Sequence, residues 1–207
     1  MSVTDDPTSP SPSHAASPSD RPPRRAATRD RLRTSGIELF AQRGLHGITT
    51  HDIAHNAGLA AGTFYLHFSD KQSLFREIVL EAMDELRGHL LTATQSAEAG
   101  DSARAYSTAL VDFAARNGAL IRVLFSGDGD ASALEHDVLN TFAESLSKTR
   151  IQRGGVPAGA NPAVFGQALV GMFARVVAWW VEDPNRATRE EVIETLTRIQ
   201  LTGTQPD

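Results

Sequence analysis

From Thr28 onward, large apolar residues recur at intervals of three and four, the spacing of one helix face, and no stretch alternates as a half-buried strand would. Thr28 is expected to cap a helix running to Arg43, with Leu32, Gly36, Leu39 and Phe40 on one face and Gly44 closing it. Thr49-Thr-His-Asp52 has the form of a capping box and opens a short helix to Asn56. Gly58 breaks that helix, and a second short one covers Ala61 to Phe68. Ser69-Asp-Lys-Gln72 reads as another capping box. It opens a long helix on which Leu74, Phe75, Ile78, Val79, Ala82, Met83, Leu86 and Leu90 share a face. Helices follow over 102–116, 118–126 and 132–152, then a glycine-rich loop over 154–159. Asn161-Pro162 pairs an N-cap with a first-turn proline and starts a helix to Glu182. Thr188-Arg-Glu-Glu191 caps the last helix, which ends near Gly203. The chain reads as all-α, without an internal repeat.

Composition alters this picture at the ends. Residues 1–28 hold Pro7, Pro10, Pro12, Pro18, Pro22 and Pro23 among Ser, Thr and Asp, too little apolar surface to offset ordering, so they are expected to form a disordered tail. Its end, Arg21-Pro-Pro-Arg24-Arg25, is read first as solvated and second as an arm along DNA. The 207 residues include no cysteine, which excludes disulfides, Cys-ligated zinc, iron–sulfur clusters and thiol catalysis. The mean hydropathy is -0.24. The densest apolar run, Val176 to Val181, is far short of a membrane span, and a cytoplasmic protein is expected.

Charge divides the chain. The net charge is -5, yet residues 21–76 hold nine Arg/Lys against four acids, leaving a marked acidic excess elsewhere. A basic front suggests that one part meets a polyanion while the remainder does something else.

The informative stretch is 49–68. Two helices of about two turns, separated by Ala57-Gly58-Leu59, fit a helix-turn-helix, with Gly58 at a positive-φ turn position and Ala54 and Ala57 small enough for a close crossing. Ile53, Leu59 and Phe64 form a miniature core with Phe40. Ala61, Gly62, Thr63, Tyr65 and His67 are left outward, a set without carboxylates that suits a phosphate backbone and base edges.

The blocks Ile37-Glu-Leu-Phe-Ala-Gln-Arg-Gly44, Gly47-Ile-Thr-Thr50, Asp52-Ile-Ala54 and Ala57-Gly-Leu-Ala-Ala-Gly-Thr-Phe-Tyr-Leu-His-Phe-Ser-Asp-Lys71 resemble the N-terminal domain of TetR-type (tetracycline-repressor-like) regulators over roughly residues 29–80. The resemblance implies that Thr49, Thr50 and His51 touch phosphate and a base. It places Ala61, Gly62 and Thr63 in the major groove, with Tyr65, His67 and Lys71 on phosphates. Position 60, often Ser or Thr in that family, is Ala60, so the recognition helix lacks a hydroxyl cap worth about 0.5–2 kcal/mol. Ala61 and Gly62 offer no side-chain donors, which shifts base readout toward His51, Thr63 and DNA shape.

Enzymatic chemistry is not expected. His51-Asp-Ile-Ala-His55 has the spacing of a zinc-protease helix, but Asp replaces Glu and no third ligand is evident. Walker loops, GxSxG elbows and dinucleotide fingerprints do not occur. Asp128 and Asp130 lack the later glutamate of a calcium loop and read as a turn. No metal or cofactor is expected.

In the second half, the 162–182 helix is apolar on more than one face and must be covered on both sides. Gly166, Gly171, Ala174 and Ala178 permit close helix approach. With Val192, Ile193, Leu196 and Ile199 of the last helix, this helix is expected to build a two-fold four-helix bundle. The resemblance agrees, and the expected dimer interface comprises Gly171, Ala174, Ala178, Val192, Leu196 and Ile199. Met83, Phe113, Phe125, Phe142, Met172 and Trp179 are candidates to line an effector pocket. Arg175 is expected to bind a ligand anion or to pair with Asp112 or Glu182. Trp179-Trp-Val-Glu-Asp-Pro184 resembles the C-terminal part of family members that respond to fatty-acyl or other lipophilic compounds.

The expected organisation is a tail over 1–28, a three-helix helix-turn-helix DNA-binding domain over 29–75 and a helical effector-binding and dimerisation domain over 76–207. The expected function is a one-component repressor, a homodimer released from a palindromic operator by a small lipophilic effector. The alternative is a helical carrier or small-molecule enzyme with a vestigial DNA-binding head.

Overall fold

The computed structural model describes residues 24–98, 100–127, 129–152 and 155–202, and every regular element among them is helical. The order is α1 (Arg24–Arg43), α2 (Thr50–Asn56), α3 (Ala61–Tyr65), α4 (Lys71–Ser96), α5 (Ser102–Arg116), α6 (Gly118–Leu124), α7 (Gly129–Gln152), α8 (Pro162–Glu182) and α9 (Arg189–Thr202), with a 3-10 turn at Pro184–Arg186.

The caps explain most boundaries. Thr49 closes a reciprocal box with Asp52, and Asn161 Oδ1 accepts the Ala163 and Val164 amides at 2.9 and 3.3 Å. Thr188 and Glu191 do the same for α9. Three expectations shift. Helix α1 begins by Arg24, directly after Pro22-Pro23 in sequence, so Thr28 lies inside it and residues 24–28 are not tail. The rest of the expected tail lies outside the described residues, as do Asp128 and the far end of the last helix. The box at α4 is Asp70 with Ser73, not Ser69 with Gln72, because the Asp70 carboxylate reaches the Ser73 amide at 2.6 Å while Ser73 Oγ caps in return. Helix α7 starts at Gly129 rather than 132.

A single apolar cluster runs from Leu32 to Leu196, and α4 carries it between the two ends of the molecule. At the front, Phe40 meets Phe75 edge-on at 5.3 Å, and Gly36 lets α1 settle onto Leu74 and Ile78 of α4. The domain boundary expected at 75–76 therefore falls within α4. Arg29 and Arg33 of α1 reach Glu77 and Glu81 of α4. Both acids lie just beyond the 21–76 window, so part of the basic excess read there is neutralised on folding.

At the back, α7 lies along α8, α5 bridges α4 and α9, and α6 touches both α1 and α8. Arg122 of α6 donates to the Val181 carbonyl at 2.9 Å, closing the end of α8. Gly166 sits where α8 crosses α7: a Cβ there would come within 2.0 Å of Ser147 Oγ and 2.6 Å of the Ala143 carbonyl. Replacing Gly166 by Ala raises helix propensity by about 0.5–1 kcal/mol but forces the two backbones apart. The net expected effect is a loss of about 1–3 kcal/mol, read as a lower midpoint in chemical denaturation; an unchanged midpoint would contradict the close crossing.

Candidate DNA-binding face and effector cavity

Helices of seven and five residues do not stand alone in water, so α2 and α3 depend on what holds them. Ile53 and Phe64 are fully buried and Leu59 partly so, as expected of the miniature core. Around them lie side-chain bonds to backbone. Ser35 Oγ donates to the Ile53 carbonyl at 2.8 Å, Arg31 to the Ala57 carbonyl at 2.5 Å, and Arg29 to the His67 carbonyl at 3.0 Å. Gly58 has φ 66°, the left-handed value the turn requires. Ala60 precedes α3 with no side-chain cap.

Thr49, His51, Ala61, Gly62 and Tyr65 are exposed, with Thr50 and Thr63 half-exposed. The Thr50 and Tyr65 hydroxyls meet at 2.9 Å, joining the outer edges of α2 and α3. Asp52 is consumed by its cap: the Thr49 hydroxyl and amide hold its carboxyl below the usual range. A Cβ at Gly62 would meet nothing within 4 Å, so packing does not demand glycine there. The bare backbone leaves that surface open to close approach by a partner.

Two expected contacts sit differently. Helix α3 stops at Tyr65, three residues before the predicted end, so the helical register of outward positions breaks. Leu66 stands 70% exposed, and His67 is half-buried with Nδ1 enclosed and unpartnered. Burial, reinforced by the charges of Arg25 and Arg29, pushes the His67 pKa below its ordinary value, so the ring is neutral and a poor phosphate ligand. Lys71 Nζ donates to the Ile48 carbonyl at 2.9 Å, tying the first turn of α4 to the residues before α2 and leaving two donors for another acceptor. Sequence reasoning missed both Leu66 and this tether, since neither follows from helical spacing.

Two adjoining cavities lie in the back half. The inner chamber, about 70 Å³, is lined by Met83, Phe113, Phe125 and Phe142 as expected, together with Tyr106 and Phe173 among others. The outer one, about 290 Å³, carries Arg87, Thr149 and Arg150 and shares Leu90, Tyr106 and Phe142 with the first. Met172, Arg175 and Trp179 line neither. Arg175 is exposed on α8, and the partners expected for it are engaged: Asp112 with Arg189 at 2.6 Å and Glu182 with Arg186 at 3.0 Å. Burial pushes the Tyr106 phenol up to about 12, against the opposing charge of Arg150, so it remains a hydrogen-bond donor at neutral pH.

Of the expected dimer residues, Ala178, Val192 and Leu196 are buried in this chain's own core and do not form an outer surface. Gly171 is open, with nothing within 4 Å of a Cβ there, and Ala174 and Ile199 are half-exposed. The correction follows from α9, whose apolar stripe is spent on α5.

The depressed His67 pKa has a consequence for stability. The unfolded chain takes up a proton near the ordinary value of 6.5 while the folded ring resists it. Its contribution is therefore fully present above that pH and is lost as pH falls below it. Replacing His67 by Phe is expected to flatten the stability loss between pH 7.5 and 5.5 in urea titrations; an unaltered slope would show that the ring protonates freely in the folded state.

Residues 32–78 match the family model described as bacterial regulatory proteins, tetR family. The chain is 37% identical over 83 residues to the transcriptional repressor KstR2 of Mycolicibacterium smegmatis, a stretch covering 38% of this chain and 40% of that protein. It is 27% identical over 197 residues to KstR2 of Rhodococcus jostii, covering 90% and 95%. The fold matches the fatty acid degradation regulator FadR of Bacillus halodurans with TM-score 0.76 at 18% identity, over 87% of this chain and 97% of that one. It also matches FadR of Bacillus subtilis in complex with stearoyl-CoA, with TM-score 0.72 at 18% identity over 85% and 99%. The matched head, built as a helix-turn-helix on a helical body, is that of the tetR family of bacterial regulatory proteins.

Proposed function

We propose that this chain is a homodimeric repressor that grips a palindromic operator with α2 and α3 of each head and leaves it when an acyl effector fills the back cavities. The observation that carries the DNA reading is the open face of Thr49, Thr50, His51, Ala61, Gly62, Thr63 and Tyr65, free of carboxylates and tied across its edge by the Thr50–Tyr65 bond. Lys71 adds its two remaining donors beside that face. The repressor names of the relatives support the repressor reading, and the stearoyl-CoA bound by one structural neighbour supports an acyl effector. The head is assigned to α1, α2, α3 and the first turns of α4, and the body to the helices that follow, working in the cytoplasm.

Helix α8 supports the dimer. Less than half of its most apolar stretch is buried. Val164, Ala168, Gly171 and Arg175 fall on one stripe of exposed positions, Val164 being 67% exposed. A second copy is the occupant that suits a self-complementary stripe of this kind, as a two-fold interface requires. Two heads so joined would reach half-sites about one helical turn apart, ~34–36 Å.

An effector has two routes to the head. Met83, Leu86 and Leu90 of α4 line the inner chamber, and the first turn of α4 holds Lys71 on the Ile48 carbonyl. Ile121 and Leu124 of α6 line it as well, and α6 packs on α1. Movement of either helix alters the separation of the two heads, and a coupling of about 1–3 kcal/mol changes operator affinity some 5–150-fold.

Replacing Gly62 by Glu puts a carboxylate on the open face without touching the core. Operator retention in gel-shift is expected to fall at least about tenfold, with the thermal midpoint unchanged or raised. Retention equal to the parent would remove α3 from the DNA interface. Replacing Gly171 by Glu is expected to halve the sedimenting mass while circular dichroism keeps the helical signal; a mass that stays dimeric would place the interface elsewhere.

A further inference from the structure

We propose that Arg150 is the receptor for the anionic end of an amphipathic effector whose apolar part occupies the inner chamber, with Gln200 and Ser107 positioning the guanidinium. The proposal deepens the effector-sensing reading above and rests on it.

Arg150 is half-buried on α7 at the wall of the outer cavity. Its hydrogen-bond partner is neutral, Gln200 Oε1 at 3.1 Å, and among the described residues no carboxylate pairs with it. Among the described residues, no acid lines either cavity. The other cavity cation, Arg87, is already engaged by Asp84 at 2.9 Å. Partial burial of a cation against a neutral amide costs desolvation that the amide does not repay, and an arriving anion removes that imbalance.

The amide is itself fixed. Gln200 Nε2 donates to Ser107 Oγ at 2.9 Å and lies 3.3 Å from the carbonyls of Ala103 and Leu196, which turns its oxygen toward Arg150. Ser107 is completely buried. A chain of neutral polar groups crossing from α5 through α9 to α7 thus aims one cation at a cavity, the preorganised arrangement that an anion site needs.

Between this cation and the apolar chamber stands Tyr106, which lines both cavities with its ring 5.2 Å from that of Phe173. Among the described residues its hydroxyl makes no hydrogen bond, and it stays protonated. The order met from the inner chamber outward is therefore hydrocarbon surface, the Tyr106 hydroxyl, then the Arg150 guanidinium in a cavity that also carries the hydroxyls of Thr94, Ser102, Ser145 and Thr149. A ligand with an alkyl body, a carbonyl and an anionic oxygen cluster matches that order. The anion is either the carboxylate of a free acid or a phosphate carried by a thioester.

The test is direct binding without DNA, by calorimetry. The probes are fatty acids from octanoate to palmitate, the matching alcohols and the matching CoA thioesters. Replacing Arg150 by Met is expected to weaken the anionic ligands by about 10–100-fold and leave the alcohols within about twofold. Replacing Arg150 by Lys is expected to keep part of the affinity, and replacing Gln200 by Leu to lose an intermediate amount. Loss confined to the acids identifies a carboxylate, loss confined to the thioesters a phosphate, and either supports the assignment. Equal loss across all three classes, no loss, or no binding of any anion by the parent chain overturns it. Gel-shift of the ligand-free variants reads the head separately, so failure of operator binding is distinguishable from failure of this site.

Discussion

Helix α4 is the element on which the rest depends, because one rod of 26 residues serves two cores. Leu74, Phe75 and Ile78 are buried toward the head, while Met83, Leu86 and Leu90 line the inner chamber. Packed interiors deform little, so a change at one end of such a rod reaches the other as displacement rather than as local relaxation. The Asp70–Ser73 box fixes where the rod starts, and the Lys71 bond to the Ile48 carbonyl makes that start part of the head.

The head has little stability of its own to resist such a displacement. Helices α2 and α3 together hold twelve residues, and α3 lacks a cap. What positions them is a set of side chains on α1 that reach backbone carbonyls: Ser35 to Ile53, Arg31 to Ala57 and Arg29 to His67. Arg29 also lies 4.4 Å over the Phe68 ring and pairs with Glu77 of α4. That one side chain therefore links α1, the end of α3 and α4, so a shift of α4 is felt where the recognition helix ends. A short, loosely capped helix held by neighbours adjusts its angle to DNA or to a moved α4 at low cost.

The helical spacing and the cap residues made the fold legible. Thr49, Asn161 and Thr188 each announce a helix start, and Gly44 and Gly58 announce stops, because these residues have one local role that tertiary context rarely overrides. At Ser69-Asp70 the predicted box lies one residue before the actual one, because the reach of the Asp70 carboxylate to the Ser73 amide decides the cap. The sites were legible in proportion to how local they are. The open positions of α2 and α3 follow from helix geometry, whereas the cavity is built from five helices. Periodicity marks Met172 and Trp179 as apolar without saying which neighbour covers them. Likewise Val192 and Leu196 look the same whether an apolar stripe meets its own chain or a second copy.

Charge needs the same care. The basic excess at the front reads as an electrostatic footprint, but Arg29, Arg31 and Arg33 are spent on Glu77, on the Ala57 carbonyl and on Glu81. These arginines build the head more than they attract a polyanion. The surface presented by α2 and α3 is instead hydroxyls, an exposed imidazole at His51 and bare backbone at Gly62. Such a surface gains less from counterion release than an arginine-lined one and more from close fit, so in the proposed dimer discrimination would rest on the shape of the groove and on how the two heads are spaced. On the proposed dimeric reading, spacing is the property that α4 and α6 would carry from the cavity, so one feature would set operator selectivity and be the point at which an effector acts.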